Sequence, residues 1–506
     1  MKHPALSLGL CLCASLAAAA EFDAWFGDGM VLQRGQPIRV LGTAQPNSRI
    51  TLRLGDQTAE TQADADGRWR QTFPARAADP KPTALTAQEP GQPDAVIRDI
   101  LIGDVWLCAG QSNMEYPLSR DAEAKQELPQ AALPLVRIRN HSFAGQYRFA
   151  APLDAATVAR MTTRSFYAGR WEPCTPKTAA PTTAVGYYFA KRLSTETGVP
   201  IGLVNYAVGG APIEAFISRE ALASDATFHK KVTGNWLTNE SIEGSFVRLR
   251  GQQHLGKATD APGDDCGPNH GYKPGFAWAA GPAAITSFPL KGVLWYQGES
   301  NAIRPLDVAE YGALMQLLVA DWRRRWQQPN LPFYWVQLPS INEPARQFWP
   351  EFREAQRQLT QSIPATGMAV ALDVGTPKDV HPRQKRPVGE RLAALALRDL
   401  YGRQDLVAEG PIALSAQQSG QTLRICFRSA AGLKFSGETT PLIEIRPANS
   451  SAFQAIRGAR VEGETVVVET AGRIVEVRYA WHMNAVAALR NGADLPAGPF
   501  VLKVSE

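Results

Sequence analysis

Four short polar segments carry the residue types that acyl transfer needs. They are Ala109-Gly110-Gln111-Ser112-Asn113-Met114, Ala207-Val208-Gly209-Gly210, Gln297-Gly298-Glu299-Ser300-Asn301 and Asp379-Val380-His381-Pro382. A serine hydroxyl attacks a carbonyl only when a neighbouring base takes its proton. Ser112 is the candidate nucleophile and His381 the candidate base. The other histidines do not lie beside a buried strand end with a carboxylate nearby. The base needs a carboxylate on its second ring nitrogen to hold its tautomer. Asp379 is nearest in sequence, Glu299 could approach from another segment, and Asp373 is a third option. A two-residue spacing does not decide among them. The tetrahedral oxyanion needs donors aimed at it. The backbone N–H groups of Ser112 and Gly210 and the amide of Asn301 are candidates, with Gln297 beside them for binding substrate. No metal or organic cofactor is required. Cys266 and His270 lack the second ligand pair that a zinc site wants.

These segments need elements to hold them. From about residue 100 to 402 apolar runs alternate with helical patterns. Strands are predicted over 100–108, 201–208, 292–296, 333–338 and 368–372. Helices are predicted over 184–196, 307–326, 351–361 and 387–400, with Pro350 and Pro387 at helix entries, where the first turn tolerates proline. Uninterrupted apolar strands imply burial on both faces, hence a parallel sheet covered by helices. All four polar segments follow predicted strands, and ligands bind at the carboxyl ends of strands in such sheets. Residues 211–290 break the rhythm and read as an insertion. Residues 21–99 show short alternating runs, with a hairpin signal at Asp66-Gly67, and read as an all-β, sandwich-like domain. Residues 403–506 return to alternating runs and read as a second β-rich region.

The chain has 506 residues, of which 44% are hydrophobic and 20% charged, enough for a large core. The formal charge of +5 is mild and dispersed. It gives no nucleic-acid footprint, which needs clustered basic residues. Residues 1–20 combine a basic start, an apolar run from Ala5 to Leu16 and small residues at Ala17–Ala20. This pattern predicts a signal peptide cleaved near Ala20, and an exported protein with no integral membrane association. Export permits disulfides. Cys174 and Cys266 both fall in irregular segments, and a bond between them is one expectation. Oligomeric state is not legible.

Ser112 does not sit in a G-x-S-x-G elbow, which argues against a typical α/β-hydrolase. The blocks GQSNM, GG-x-P-I-E-A-F, WYQGESN and DVHP instead resemble the four blocks of SGNH hydrolases, and more narrowly the sialate O-acetylesterase family. The resemblance extends to Phe26–Gln33 and Val477–Trp481 and covers nearly the whole chain beyond the leader. It implies an SGNH-type three-layer α/β/α core, with Ser112 as nucleophile, Gly210 and Asn301 as oxyanion donors and His381 as base. Many SGNH enzymes carry Asp three residues before the histidine, where this chain has Lys378. Related carbohydrate acetylesterases use the Glu of a Q-G-E block, so Asp379 and Glu299 both stay in play. The implied activity is a secreted serine esterase that removes O-acetyl groups from sugars. The substrate could be a sialic acid, for which Arg304 is an anion-binding candidate, or a plant polysaccharide such as xylan or xyloglucan. Trp171, Trp236, Trp278 and Trp349 are candidate sugar platforms or packing residues. A non-catalytic carbohydrate-binding protein on the same scaffold is the alternative of another class, and a lipase or thioesterase a further one.

Overall fold

The computed structural model describes residues 19–149, 152–256, 258, 260–436 and 443–505. The leader expected at 1–20 lies outside them except for its last two residues. Six parallel strands form the centre: β1 (Ala95–Gly110), β2 (Leu133–Asn140), β3 (Ile201–Asn205), β4 (Gly292–Tyr296), β5 (Phe333–Val336) and β6 (Thr366–Ala369). Their order is β2-β3-β1-β4-β5-β6. Every residue of β3, β4 and β5 is buried, as their unbroken apolar sequences require.

Four long helices connect the strands: α1 (Ala184–Thr197), α2 (Pro305–Trp326), α3 (Trp349–Ser362) and α4 (Arg386–Leu400). Thr183 caps α1 by accepting the Gly186 N–H, and Gly198 closes it with φ of 67°. Prolines open α2, α3 and α4. Phe189 of α1 meets Trp106 of β1 with ring centroids 4.7 Å apart. Trp322 of α2 meets Trp295 of β4. Trp295 is in register with Ala109, which points opposite to Trp106 along β1. The two helices therefore lie on opposite faces of the sheet.

β1 is long because it serves two partners. Its first half pairs with Asp79–Gln88 and Val31–Gln33, its second half with β3 and β4. The N-terminal strands thus continue directly into the central sheet. The turn at Gly67 forms, with φ of 77°, but it does not make a hairpin. Arg68–Phe73 pairs with Ile38–Thr43, whereas Gln57–Gln62 pairs with Arg49–Leu54 through the Gly55-Asp56 turn. The Asp66-Gly67 turn moves the chain from one sheet to the other.

β2 carries no strand signal because arginines interrupt its apolar residues. Arg137 pairs with Asp99 at 3.1 Å, and Arg139 donates to the carbonyls of Trp25 and Ala24 at 2.9 Å each. Pairing makes their burial tolerable, and the same bonds fasten the N-terminal segment to the sheet.

Residues beyond Tyr401 form an eight-stranded sheet with its own hydrophobic cluster, including Leu423, Ile425, Val477 and Tyr479. The expected Cys174–Cys266 disulfide is absent; both thiols are free and buried. Each instead donates to a carbonyl, Cys174 to Ala131 at 3.4 Å and Cys266 to Val232 at 2.9 Å.

Candidate active site

The carboxyl ends of β1, β3 and β4 and the loop beyond β6 converge. β1 ends at Gly110, whose φ of 131° suits glycine, and a Cβ there would lie 2.1 Å from the Tyr296 carbonyl. That close approach of β1 and β4 brings Ser112, the first residue of a short helix over Ser112–Glu115, to the sheet edge. His381 arrives from the loop beyond β6. Its Nε2 stands 2.8 Å from Ser112 Oγ. If the hydroxyl donates, Nδ1 carries the ring proton and faces Asp379, 3.6 Å from Oδ1. That distance exceeds a hydrogen bond, because the same Oδ1 accepts the His381 backbone N–H at 2.8 Å. Burial holds the His381 imidazole below its ordinary pKa; Lys385 adds to this and Asp379 opposes it. The ring is therefore neutral at pH 7 and able to accept a proton.

Glu299 points elsewhere. It is 2% exposed, and it accepts from Asn113 Nδ2 rather than from His381. The same Nδ2 donates to the Val380 carbonyl at 2.9 Å, and Asn113 Oδ1 accepts from Lys385 Nζ. Asn113 thus ties the neighbour of Ser112 to the neighbour of His381. Burial raises the Glu299 pKa and pulls that of Lys385 down to about 7. Asp373, the third candidate acid, is bound by Arg391 at 2.6 Å and does not reach the histidine.

Gly210 turns with φ of 80°, and a Cβ there would overlap the Tyr272 hydroxyl at 2.2 Å. Among the described residues its N–H has no acceptor. The Ser112 N–H, at the start of its helix, also lacks an intrahelical acceptor. Among the described residues Asn301 makes no hydrogen bond with Ser112, and it does not line the cavity beside it. Its amide N–H donates to Glu214 at 3.0 Å, while its Oδ1 accepts from Ile213 N and Gln297 Nε2. Gln297 also donates to Gln111 at 3.1 Å, so both side chains bind loops together.

A cavity of about 710 Å³, its open mouth included, adjoins Ser112 and His381. Phe143, Leu153, Met161, Phe166 and Val208 make much of its wall apolar. Exposed Tyr147 and Phe149 line it too, and Arg120 lies 5.1 Å over the Tyr147 ring. Apart from Val208, which belongs to the second polar segment, none of these gave a sequence signal. The four tryptophans singled out as possible platforms are all buried packing residues. Arg304 is held by Asp307 through two bonds of 2.7 Å.

The family model of carbohydrate esterases described as sialic acid-specific acetylesterase matches residues 102–235 and 279–398. The chain is 25% identical to the human (Homo sapiens) sialate O-acetylesterase, covering 100% of this chain and 98% of that one. It is 26% identical to the Rattus norvegicus sialate O-acetylesterase, covering 96% and 94% respectively. A carbohydrate acetylesterase from Xanthomonas citri shares the fold with a TM-score of 0.76 and 32% identity, over 96% of this chain and 99% of that one. Among the described residues no helix is long and apolar enough to cross a membrane. The chain belongs to the sialic acid-specific acetylesterase family of carbohydrate esterases, and it is a carboxylic ester hydrolase.

Proposed function

We propose that this esterase removes O-acetyl groups from sugars by a serine acyl-transfer mechanism on an SGNH-type three-layer core. One observation carries the reading: Ser112 Oγ and His381 Nε2 lie 2.8 Å apart at the edge of an open cavity. His381 takes the Ser112 proton as the oxygen attacks the acetyl carbonyl. The backbone N–H groups of Ser112 and Gly210 receive the oxyanion. His381 then protonates the sugar oxygen as its bond to the acetyl carbon breaks. In the second step it takes a proton from water, which attacks the acetyl-enzyme, and returns it to Ser112 Oγ as acetate leaves. Asp379 is the orienting acid. A small rotation of its half-exposed side chain would close the 3.6 Å gap once substrate excludes water, as loose apo geometry commonly tightens. Neither Asn301 nor Gln297 is needed as an oxyanion donor.

The substrate reading is an acetylated sugar, with sialic acid first. Its support is the substrate named for the mammalian relatives, together with Arg120 at the cavity. Among the described residues no carboxylate lies within ion-pair distance of Arg120, so it is available to an anionic sugar. Exposed Tyr147 and Phe149 would equally stack a neutral polysaccharide unit. Residues 1–20 are proposed to direct export, and the β regions over 21–99 and 403–506 to act as accessory domains around a catalytic unit over 100–402. The test is Ser112→Ala with p-nitrophenyl acetate. Turnover should fall at least about 1,000-fold with circular dichroism unchanged. Retained turnover would end the serine assignment and favour a different site. Acetate release from a panel of acetylated sialosides and xylo-oligosaccharides then ranks the substrates.

A further inference from the structure

The turn that carries the proposed oxyanion donor is held at two successive peptides from outside its own loop. The Tyr272 hydroxyl donates to the Gly209 carbonyl at 2.9 Å, and the Ser300 hydroxyl donates to the Gly210 carbonyl at 2.9 Å. A peptide unit is planar and trans, so fixing the Gly209 oxygen fixes the Gly210 N–H in the opposite direction. The turn is beside the nucleophile: a Cβ built at Gly209 would lie 3.7 Å from Ser112 Cβ. Tyr272 comes from the insertion and Ser300 from the segment after β4, so two separate elements set one turn.

Tyr272 is itself braced by groups the mechanism leaves unused. Its backbone N–H donates to His270 Nδ1 at 3.1 Å, and its ring meets the His270 ring edge-on with centroids 4.7 Å apart. Because His270 Nδ1 accepts, the proton sits on Nε2, which is 2.9 Å from His254 Nδ1. Phe246 stacks on the Tyr272 ring with centroids 6.0 Å apart. Both histidines are buried and stay neutral across the physiological range, His254 at about 4 and His270 at about 3, chiefly through desolvation. A neutral histidine pair can therefore pass orientation to Tyr272 without changing charge.

We infer that Tyr272 and Ser300 are positioning residues for catalysis: the Tyr272 hydroxyl aims the Gly210 N–H at the developing oxyanion, and the Ser300 hydroxyl holds the next peptide of the same turn. The inference rests on the reading of Gly210 as an oxyanion donor. It also gives part of the insertion a role in rate rather than only in substrate binding. Polarisation of the Gly209 carbonyl by the tyrosine would strengthen the N–H of the same peptide as a donor.

Tyr272→Phe removes one oxygen. With p-nitrophenyl acetate it should lower kcat about 10-fold and leave KM within about twofold, because the lost interaction acts on the transition state. The inhibition constant of phenylboronic acid, which forms a tetrahedral adduct on an active serine, should weaken by about the same factor. A purely structural role would not move kcat and boronate affinity together at constant KM. If Tyr272→Phe does not fold, Ser300→Ala carries the same test with an expected loss of about threefold. Wild-type kcat and boronate affinity in a folded variant would overturn the inference. Turnover retained in Ser112→Ala would instead overturn the serine mechanism beneath it, so the two failures are distinct.

Discussion

Two polar trios meet in this site, adjacent in sequence at Ser112 and Asn113, and they differ in burial. Ser112 and His381 line the cavity, with Asp379 3.6 Å from the histidine; Asn113, Lys385 and Glu299 form a second, buried set. The Asp379 side chain is 57% exposed, whereas Glu299 is 2% exposed. In the proposed mechanism the front trio exchanges protons with substrate and with water. The rear trio does not, and its hydrogen bonds fasten the nucleophile segment to the histidine loop through Val380. Ser112 and Asn113 come from one sequence block, and burial separates the two trios. A carboxylate sealed from solvent and committed to an amide is a poor orienter for a ring it does not touch.

The difference can be broken from either side. Removing the proposed base has the largest expected effect: His381→Ala should cost about 10²- to 10⁴-fold in kcat while leaving thermal stability near wild type. A stable but active variant would merge the two trios into one structural cluster. Asn113→Ala should do the reverse and act first on stability. It strips hydrogen bonds from a buried carboxylate and a buried ammonium at once, costing roughly 3 kcal/mol or more by denaturant titration. An unchanged midpoint would show that the rear trio fastens nothing.

Glu115 sharpens the contrast, because it is buried yet lines the cavity. Burial lifts its pKa to about 7, opposed by bonds from Gln146 and the Gly209 backbone. A carboxyl raised in the folded state favours the native protein while protonated, below its ordinary value near 4.5. That contribution is lost as pH rises through about 7, a change of roughly 3 kcal/mol at most. Glu115→Gln should therefore gain stability over wild type as pH is raised from 5 to 8. A difference that does not vary with pH would remove Glu115 from the titrating groups. The smallest effect belongs to Lys385→Met. In the proposed mechanism His381 must be neutral to act, so activity should fall as pH drops through its depressed pKa. Removing a like charge raises that pKa, and the acid limb of kcat/KM should move to higher pH by less than about one unit. A limb that moved to lower pH would contradict the placement of Lys385 behind the ring.

The sequence reveals the front trio more readily than the rear one. Ser112 and His381 are legible because they follow apolar strands and belong to recognisable blocks. The central strands are legible where apolar runs are unbroken, as in Gly292–Tyr296. β2 is not, because Arg137 and Arg139 look like surface residues until Asp99 and the Trp25 carbonyl are seen beside them. The roles of Asn113 and Lys385 are equally hidden, since an amide and an ammonium become informative only once both are buried around one carboxylate. Asn301 is the converse case. Its residue type suits an oxyanion donor, yet Glu214, brought in by the 213–216 turn, takes its amide. The cavity wall is invisible for a simpler reason: it is assembled from segments 143–166 and 254–272, distant in sequence.

The division between the two trios turns on its two acids. Asp379→Asn and Glu299→Gln each replace a carboxylate by an amide of the same shape. Their kcat/KM values for p-nitrophenyl acetate, measured side by side at pH 7.5, test the division directly. Asp379→Asn should lose about 10- to 100-fold and Glu299→Gln less than about fivefold, since glutamine still accepts from Asn113. A larger loss in Glu299→Gln than in Asp379→Asn would contradict the account and make the buried glutamate the true orienter of His381.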